Sequence, residues 1–323
     1  MLSISAIVIT PDSLATVGRT LECLRAQTAR DRMEVVLVGP EAAVREAEAA
    51  GLAQAFGAFR TLAIPELVLT SEARAEGIRA ASAPIVVLTE DHSWPEPGWA
   101  EALIGAHREG CAVAGPAVKN ANPHSPLSWA NFLIEYSEWM APCPAADFSH
   151  VPGHNSAYRR DILAAFGSEL ASHLEAESHL HWRLSAEGQR LRIAAGAVTN
   201  HLNFSRLGPS CRVRFYSGRN FAGMRRLPWP LWRRLAYTAG SVLIPVVRFA
   251  RIAGRLRHPG RSALVPWASL PLAFGLLAID AAGECAGYFA GPGRAAAYIS
   301  SIDFHREQFL NRRDRERLAM PQP

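Results

Sequence analysis

The chain has 323 residues, of which 49% are hydrophobic and 20% charged, with a formal net charge of +5. It is long enough to bury a sizeable core; the composition is too polar for a polytopic membrane protein and more apolar than a fully soluble protein usually shows, which points to contact with lipid. Its five cysteines (Cys23, Cys111, Cys143, Cys211 and Cys285) are scattered and never form a C-x-x-C pair, which argues against a disulfide framework or a thiolate zinc site and fits a reducing cytoplasm.

The chain opens on MLSISAIVITPD. No basic stretch precedes the short apolar run and Pro-Asp breaks it at once, so it reads as a buried strand, not a secretory signal, and the mature protein is expected to start at Met1. Short β-branched runs then alternate with helical patterns: ISAIVIT (4–10), a helix over 13–27, MEVVLVG (33–39), a helix over 41–51, FRTLAI, a helix over 71–81 and PIVVLTE (84–90). Fully apolar strands alternating with helices predict an α/β fold, a mostly parallel twisted sheet with helices on both faces. In such sheets ligands sit beyond the carboxyl ends of the strands, so residues 10–13, 39–41 and 90–93 are the ones to read for chemistry. Pro95, Pro97 and Gly98 make a rigid turn before a helix over 99–107, and Pro123 and Pro126 break the chain again. VPGHNSAYRRDILAAFG follows as a turn and a short helix, HLEAESHLHWRLSAEG as a helix ending at Gly188, and QRLRIAAGAVTNHL as two short strands.

The strongest local signal is VVLTEDHSWPEPGW, an apolar strand ending in Glu90, Asp91 and His92. Carboxylate oxygen suits Mg²⁺ or Mn²⁺, and imidazole is tolerated by the latter. The same residues also fit a solvated loop whose aspartate caps the next turn. A metal hydrolase built on His179, His181 and His201 is the thinner reading, because His179 and His181 lie two apart on a helix and so do not share a face.

The order and spacing of ISAIVIT-P, RTLECLRAQT, MEVVLVG, SEARAEGIRAASAPIVVLTEDHSWPEPGWAEAL, GHNSAYRRDIL and EAESHLHWRLSAEGQRL…AVTNH resemble the family 2 glycosyltransferases of the GT-A fold, over residues 3–205. The resemblance implies an inverting, nucleotide-sugar-dependent transferase assisted by a divalent cation, Mn²⁺ or Mg²⁺. It places Glu90, Asp91 and His92 at the family's D-x-D carboxylates: Asp91 and His92 as metal ligands, joined by His201 at the end of AVTNH, and Glu90 on the donor side. Thr10, Pro11 and Asp12 fall on the loop that receives base and ribose, and Arg74 on the lining of the nucleotide pocket. Glu177, with Glu175 close by, falls on the general base, which takes the acceptor hydroxyl's proton; His154 and Asn155 resemble the acceptor-side loop. Each position has a plain structural alternative: Asp12 as the cap of a helix starting near Leu14, Arg74 and Glu177 as solvated helix residues, His201 as a hydrogen-bonded core residue, and His154 and Asn155 as part of a Pro-Gly turn. The chain departs from the family at Gly39-Pro40-Glu41-Ala42, where relatives carry Asp-Asp-Gly-Ser, at His92 in an otherwise all-carboxylate triad, and at Ala176-Glu177 in place of Glu-Asp. The donor nucleotide is therefore left open.

Residues 205–262 contain 13 arginines and neither Asp nor Glu, so a polyanionic surface is the expected partner. A spanning helix needs about 20 mainly apolar residues; AGSVLIPVV, interrupted by Pro245, is too short, and ALVPWASLPLAFGLLAI (263–279) is broken by Pro266 and Pro271 before Asp280 and Glu284. Arginine flanks with Trp229 and Trp232 suit an interfacial helix or re-entrant hairpin on anionic lipid at the cytoplasmic face of the inner membrane; the alternative is a core hairpin. A nucleic-acid partner is not expected, since long apolar runs serve no purpose on phosphate. The expected domains are a catalytic domain over 1–205, an arginine-rich interfacial segment over 206–262, and an apolar helical segment with a polar tail over 263–323. The expected function is metal-assisted transfer of a sugar to a lipid-linked or cell-envelope glycan acceptor; the alternative is an inactive GT-A-like, membrane-associated scaffold.

Overall fold

In the computed structural model the chain is described at every residue except 66, 68 and 320–323, so the last four residues of the expected polar tail lie outside the described residues. The apolar runs of the first hundred residues form strands β1 (Ile4–Ile9), β2 (Met33–Gly39), β3 (Ala58–Ala63) and β4 (Ile85–Leu88), separated by helices α1 (Gly18–Arg25), α2 (Glu41–Ala49) and α3 (Thr70–Ala80). β2 pairs in parallel with β1 and β3, and β1 in parallel with β4. Every residue of β1, β2 and β4 is buried, which is why their sequences are continuous apolar runs without alternation.

The next stretch gives β5 (Ser93–Pro95), α4 (Trp99–Arg108), β6 (Val113–Asn120), α5 (Pro126–Tyr136), β7 (Ala146–Asp147), β8 (Ala157–Arg159), α6 (Arg160–Ala164), α7 (Leu170–Leu174), α8 (Glu177–Ala186) and β9 (Leu191–His201). The strand order is β3-β2-β1-β4-β8-β6-β9-β5, with β7 on β9. β8 runs antiparallel to both β4 and β6, and β7 antiparallel to β9, so the sheet is mixed and not mostly parallel. The expectation failed where the strands are short or carry Gly and Pro, as in AYR and VAGPAVKN, and so lack a buried parallel strand's signature. β9 is one strand through Gly196, not two.

Both faces of the sheet are covered, as expected. On one, Ile4, Ala6 and Val8, Val35 and Leu37, and Ile85 and Val87 share a core with Leu21 and Leu24 of α1 and Trp99 and Leu103 of α4. On the other, α3 lies so close that a Cβ at Gly77 would come within 2.5 Å of Ile7 Cγ2.

The chain divides into two compact units: Met1–Lys119 with Ala141–Asn200, and Asn120–Met140 with His201–Pro323. Residues 120–140, placed by sequence inside a 1–205 catalytic domain, group with the C-terminal helices because α5 packs on one of them. Those helices are α9 (Leu207–Arg225), α10 (Leu231–Gly240), α11 (Ile244–Leu256), α12 (Ser269–Ala290), α13 (Ala295–Asp303) and α14 (Arg312–Leu318). α12 is their hub and packs on α5, α9, α10 and α11. Its glycines let two backbones touch: a Cβ at Gly287 would sit 2.5 Å from the Arg219 carbonyl oxygen of α9.

Several arginines of the acid-free stretch are neutralised within this unit by acids from elsewhere in the chain. Arg214 pairs with Glu135 and Arg255 with Glu138, Arg248 lies 2.5 Å from Asp280 and 3.5 Å from Glu284, and buried Arg261 donates to the Ser137 carbonyl. Arg206, Arg212, Arg251 and Arg257 are exposed, so a polyanionic partner faces fewer charges than the count of 13 suggests.

Two helical stretches, Leu231–Leu256 (26 residues) and Ser269–Ala290 (22 residues), are long and apolar enough to cross a membrane by length and composition. The sequence reading took the first as too short and the second as broken. A 3-10 turn at Ser241–Leu243 carries the first across the interruption, and Pro245 and Pro271 each fall in the first turn of a helix, where the missing N–H costs nothing.

One polar residue inside the sheet carries a testable contribution. The buried Glu34 carboxylate on β2 accepts hydrogen bonds from Ser5 Oγ, from Ser82 N at 2.7 Å and Oγ at 2.9 Å, and from Arg60 Nε at 2.8 Å. Burial alone would raise its pKa, but these donors hold it below the usual carboxylate value. Glu34→Ala strands the Ser5 and Ser82 donors, and should lower unfolding free energy in urea by about 2–4 kcal/mol. A loss under about 0.5 kcal/mol would show that the network contributes little.

Candidate active site

The chain leaves β4 through Thr89, whose backbone N–H and hydroxyl both donate to the Ile7 carbonyl, at 3.1 and 2.8 Å. Glu90 then bridges back to Ser93, so Asp91 and His92 form the tip of a tight turn. Outside groups fix that turn. Thr20 Oγ1 donates to the Glu90 carbonyl at 2.7 Å, Trp94 Nε1 donates to the Asp91 carbonyl at 3.0 Å, and the Ser93 and Thr199 hydroxyls are 2.9 Å apart. The Arg19 guanidinium lies over the Trp94 ring, 3.5 Å from its centre. Glu90, Asp91 and His92 are 6%, 8% and 2% exposed, which excludes the solvated-loop alternative.

The imidazole of His92 bridges its neighbours. Nδ1 is 2.6 Å from Asp91 Oδ1 and Nε2 is 3.2 Å from Glu90 Oε2. The other Glu90 oxygen is 2.5 Å from His154 Nδ1 and 3.6 Å from Arg74 Nη2. Arg74, itself buried, reaches with Nη1 to Glu177 Oε1 at 2.8 Å. The structure thus brings Arg74, Glu90, Asp91, His92, His154 and Glu177 into one network, in which the Arg74 guanidinium on α3 links Glu90 to Glu177 of α8, 103 residues further along the chain than Arg74. Neither Arg74 nor Glu177 is a solvated helix residue. Burial works against a proton on His154, yet the Glu90 carboxylate, helped by Glu177, pushes its pKa up to about 9, so the ring is a cation at neutral pH.

Glu177 is the first residue of α8, and the His154 loop rests on it: a Cβ at Gly153 would lie 2.9 Å from Glu177 Cδ. Asn155 is fully buried at φ 56° with its N–H on the Leu88 carbonyl at 2.7 Å; its side-chain amide has no hydrogen-bond partner among the described residues. Glu175 is half-buried, and burial with nearby Glu72 raises its pKa.

At the end of β1, Thr10 Oγ1 donates to the Ser13 carbonyl at 2.6 Å. Asp12 Oδ1 accepts from Ser13 N and Thr16 Oγ1, both at 2.6 Å, which braces the start of a 3-10 turn whose N-cap is Ser13, and Pro11 beside it is half-buried. At the end of β2 a Cβ on Gly39 would meet Thr10 Cγ2 at 2.6 Å. The position where relatives carry a carboxylate is therefore closed by packing.

His201 ends β9 and belongs to the second unit. There it is buried, with Nδ1 3.0 Å from Asn203 Oδ1 and its ring 4.6 Å from that of Tyr136. His181 is fully buried and bonded through Nε2 to the Tyr158 hydroxyl at 2.8 Å, while His179 packs beside Trp182, so the two histidines do not converge. Thr20, which sets the Glu90 backbone, and the Arg74–Glu177 pair were missed by sequence reasoning; their partners are 70 and 103 residues away, and no local pattern marks them.

A carboxylate-rich turn with an imidazole at the end of a central strand offers the oxygen and nitrogen ligands that a divalent cation takes. Residues 5–167 match the family model described as Glycosyl transferase family 2. The chain belongs to that family. Among solved structures, this family 2 glycosyltransferase is similar to S. aureus TarS 1–349 in complex with UDP, at 14% identity and a TM-score of 0.50, covering 90% of this chain and 91% of that one. It is also similar to GalNAc-T7 with UDP, GalNAc and Mn²⁺, at 13% identity and a TM-score of 0.48 over 62% of this chain, and it spans only 43% of that structure. At these identities the likeness is one of fold. No curated protein matches the chain.

Two histidines of the first unit, His181 and His154, give its stability a pH dependence. Burial, with His150 nearby, lowers the His181 pKa to about 3 from 6.5; the unfolded chain binds the proton more readily, so this contribution is complete above pH 6.5 and is lost as pH falls toward 3. His154 has the opposite sign, since its folded pKa is raised: its contribution is complete below 6.5 and is lost as pH rises through about 9. Measured in chelator, these two contributions together are largest near pH 6.5. His181→Gln should flatten the acid limb and His154→Gln the alkaline limb. Unchanged limbs in both variants would remove the assignment.

Proposed function

We propose that the chain is an inverting glycosyltransferase that moves a sugar from a nucleotide-sugar donor to a lipid-linked or cell-envelope glycan acceptor, with help from a divalent cation, at the cytoplasmic face of the inner membrane. The observation that carries the reading is Arg74, buried between Glu90 at 3.6 Å and Glu177 at 2.8 Å. It joins Glu90, a strand-end carboxylate, to Glu177, the carboxylate we read as the base. The UDP complex of TarS supports a nucleoside diphosphate as the donor class; with Gly39 packed against Thr10, the base of that nucleotide is held by something other than the usual aspartates.

The donor set fits a divalent cation. Glu90 Oε2 and His92 Nε2 are 3.2 Å apart, close to the spacing of about 3 Å between adjacent oxygen or nitrogen ligands of an octahedral ion. Asp91, on Nδ1, would orient the imidazole from behind. Glu90 and His92 would hold the ion, which would neutralise charge on the departing diphosphate. The protein's own part is proton transfer and positioning. Glu177 takes the acceptor hydroxyl's proton as that oxygen bonds to the anomeric carbon, and the bond from that carbon to the diphosphate oxygen breaks on the opposite face. Arg74, shared between Glu177 and the donor side, positions the Glu177 carboxylate through its 2.8 Å bond, and His154⁺ adds positive charge beside Glu90.

The full chain extracted in detergent should hydrolyse or transfer from one nucleotide-sugar of a donor panel when Mn²⁺ or Mg²⁺ is added. Glu177→Gln should leave donor binding nearly intact and cut transfer by about 10² to 10⁴; a loss confined to donor affinity would put Glu177 on the nucleotide side. The inactive-scaffold alternative predicts donor binding without turnover for every sugar tested. His92→Ala should weaken cation-dependent binding of the nucleoside diphosphate, and Asp91→Asn should weaken it by about 10- to 100-fold through the imidazole. Wild-type binding in both variants would sink the metal role.

A further inference from the structure

The outward faces of α10 and α11 carry the wrong residues for water. On α10, Leu231, Trp232 and Leu235 are 68%, 71% and 49% exposed. The arginines between them turn inward: the Arg233 guanidinium lies 4.2 Å from the Trp229 ring centre, and Arg234 Nε donates to the Trp229 carbonyl at 2.9 Å. The 3-10 turn and α11 repeat the pattern. Val242, Leu243, Val246 and Val247 are exposed at helical neighbour spacing, whereas Pro245, Ile252 and Leu256 are buried and Arg248 points to Asp280. Leu264 and Trp267, on the connection to α12, are also exposed. An amphipathic helix in water buries its apolar stripe and shows its charges; here the stripe is shown while charged side chains are bound inside.

We infer that this face lies in the plane of a bilayer, with Trp232, Val246 and Trp267 in the boundary between headgroups and acyl chains, and that neither α10–α11 nor α12 spans it. The inference rests on the membrane-associated reading above and specifies its mode. Charge selects the lipid: exposed Arg251 and Arg257 continue the α11 face beyond the aliphatic stripe, and no acid lies between residues 205 and 262 to oppose an anionic headgroup. Spanning is excluded by what α12 holds. Its buried stripe includes Asp280 and Glu284, and Gly283 and Gly287 press onto α9, a helix carrying Arg212, Arg214, Arg219 and Asn220. Taking α12 across a bilayer would carry those groups to acyl depth.

The test is flotation of the full-length protein with vesicles of phosphatidylcholine alone and of phosphatidylcholine with phosphatidylglycerol. Partitioning into the anionic vesicles should be stronger by about tenfold or more. The combined Trp232→Ser, Val246→Ser and Trp267→Ser variant should lose at least about tenfold of it while keeping its far-ultraviolet circular dichroism and its cooperative thermal unfolding. Depth is read with lipids brominated at shallow or deep acyl positions, as the quenching lost on Trp232→Phe; shallow bromine should quench more. Stronger quenching by deep bromine overturns the in-plane mode and leaves membrane attachment standing. No partitioning into either vesicle, with the same variant dissociating a self-associated form in gel filtration, assigns the face to a second copy and removes membrane attachment as well. Wild-type partitioning by the triple variant also overturns the assignment.

Discussion

Burying a carboxylate as deeply as that of Glu90 is costly unless cations and donors replace the water it has lost, and the first unit is arranged around that requirement. The partners come from separate parts of the chain: Arg74 from α3, His92 from the turn that follows β4, and His154 from the loop before β8. Each has to be held in turn. α3 sits on the sheet through Gly77, the turn is held by Thr20 and Trp94, and the His154 loop is seated on Glu177 by Gly153. The parallel strands therefore do more than fill a core. By ending together they fix the level at which the Glu90 carboxylate is buried, and the positions of Glu177 and of the facing positive charge follow from it.

The same requirement explains why Arg74 is shared. One guanidinium facing two carboxylates through different nitrogens, at 3.6 and 2.8 Å, lowers the cost of burying both. It also means that neither carboxylate can be moved or neutralised without changing the other's surroundings, so substitutions at Glu90 and Glu177 are coupled, not independent.

How much of this could be read in advance depended on whether the cause was local. β1, β2 and β4 were legible because a strand buried on both faces must be apolar at every position, and the chemistry-bearing residues at 90–92 because strand ends are where such sheets bind ligands. The antiparallel half was not: β8 has three residues, β5 ends on Pro95, and β6 contains Gly115 and Pro116, so none shows a period. Asp12 was legible only as an ambiguity between donor loop and helix cap; its bonds to Ser13 and Thr16 brace the turn, whose N-cap is Ser13. Thr20 and the grouping of residues 120–140 with the C-terminal helices depend on contacts made across long stretches of chain, and no pattern within their own segments records them.

The arginine-rich stretch shows the same limit from another side, because composition reports how many charges a segment carries and not which way they face. Glu135 and Glu138, at the end of α5 and just beyond it, and Asp280 and Glu284 on α12 each reach back to an arginine that the sequence had counted as free. Once Arg214, Arg248, Arg255 and Arg261 are satisfied inside, the helices have used their polar residues to bind one another. What is left to face outward on α10 and the first half of α11 is aliphatic and aromatic. Two properties that look opposed in the sequence, high positive charge and long apolar runs, are thus one arrangement in three dimensions: inward arginines lock the helices together, and that locking presents the apolar stripe.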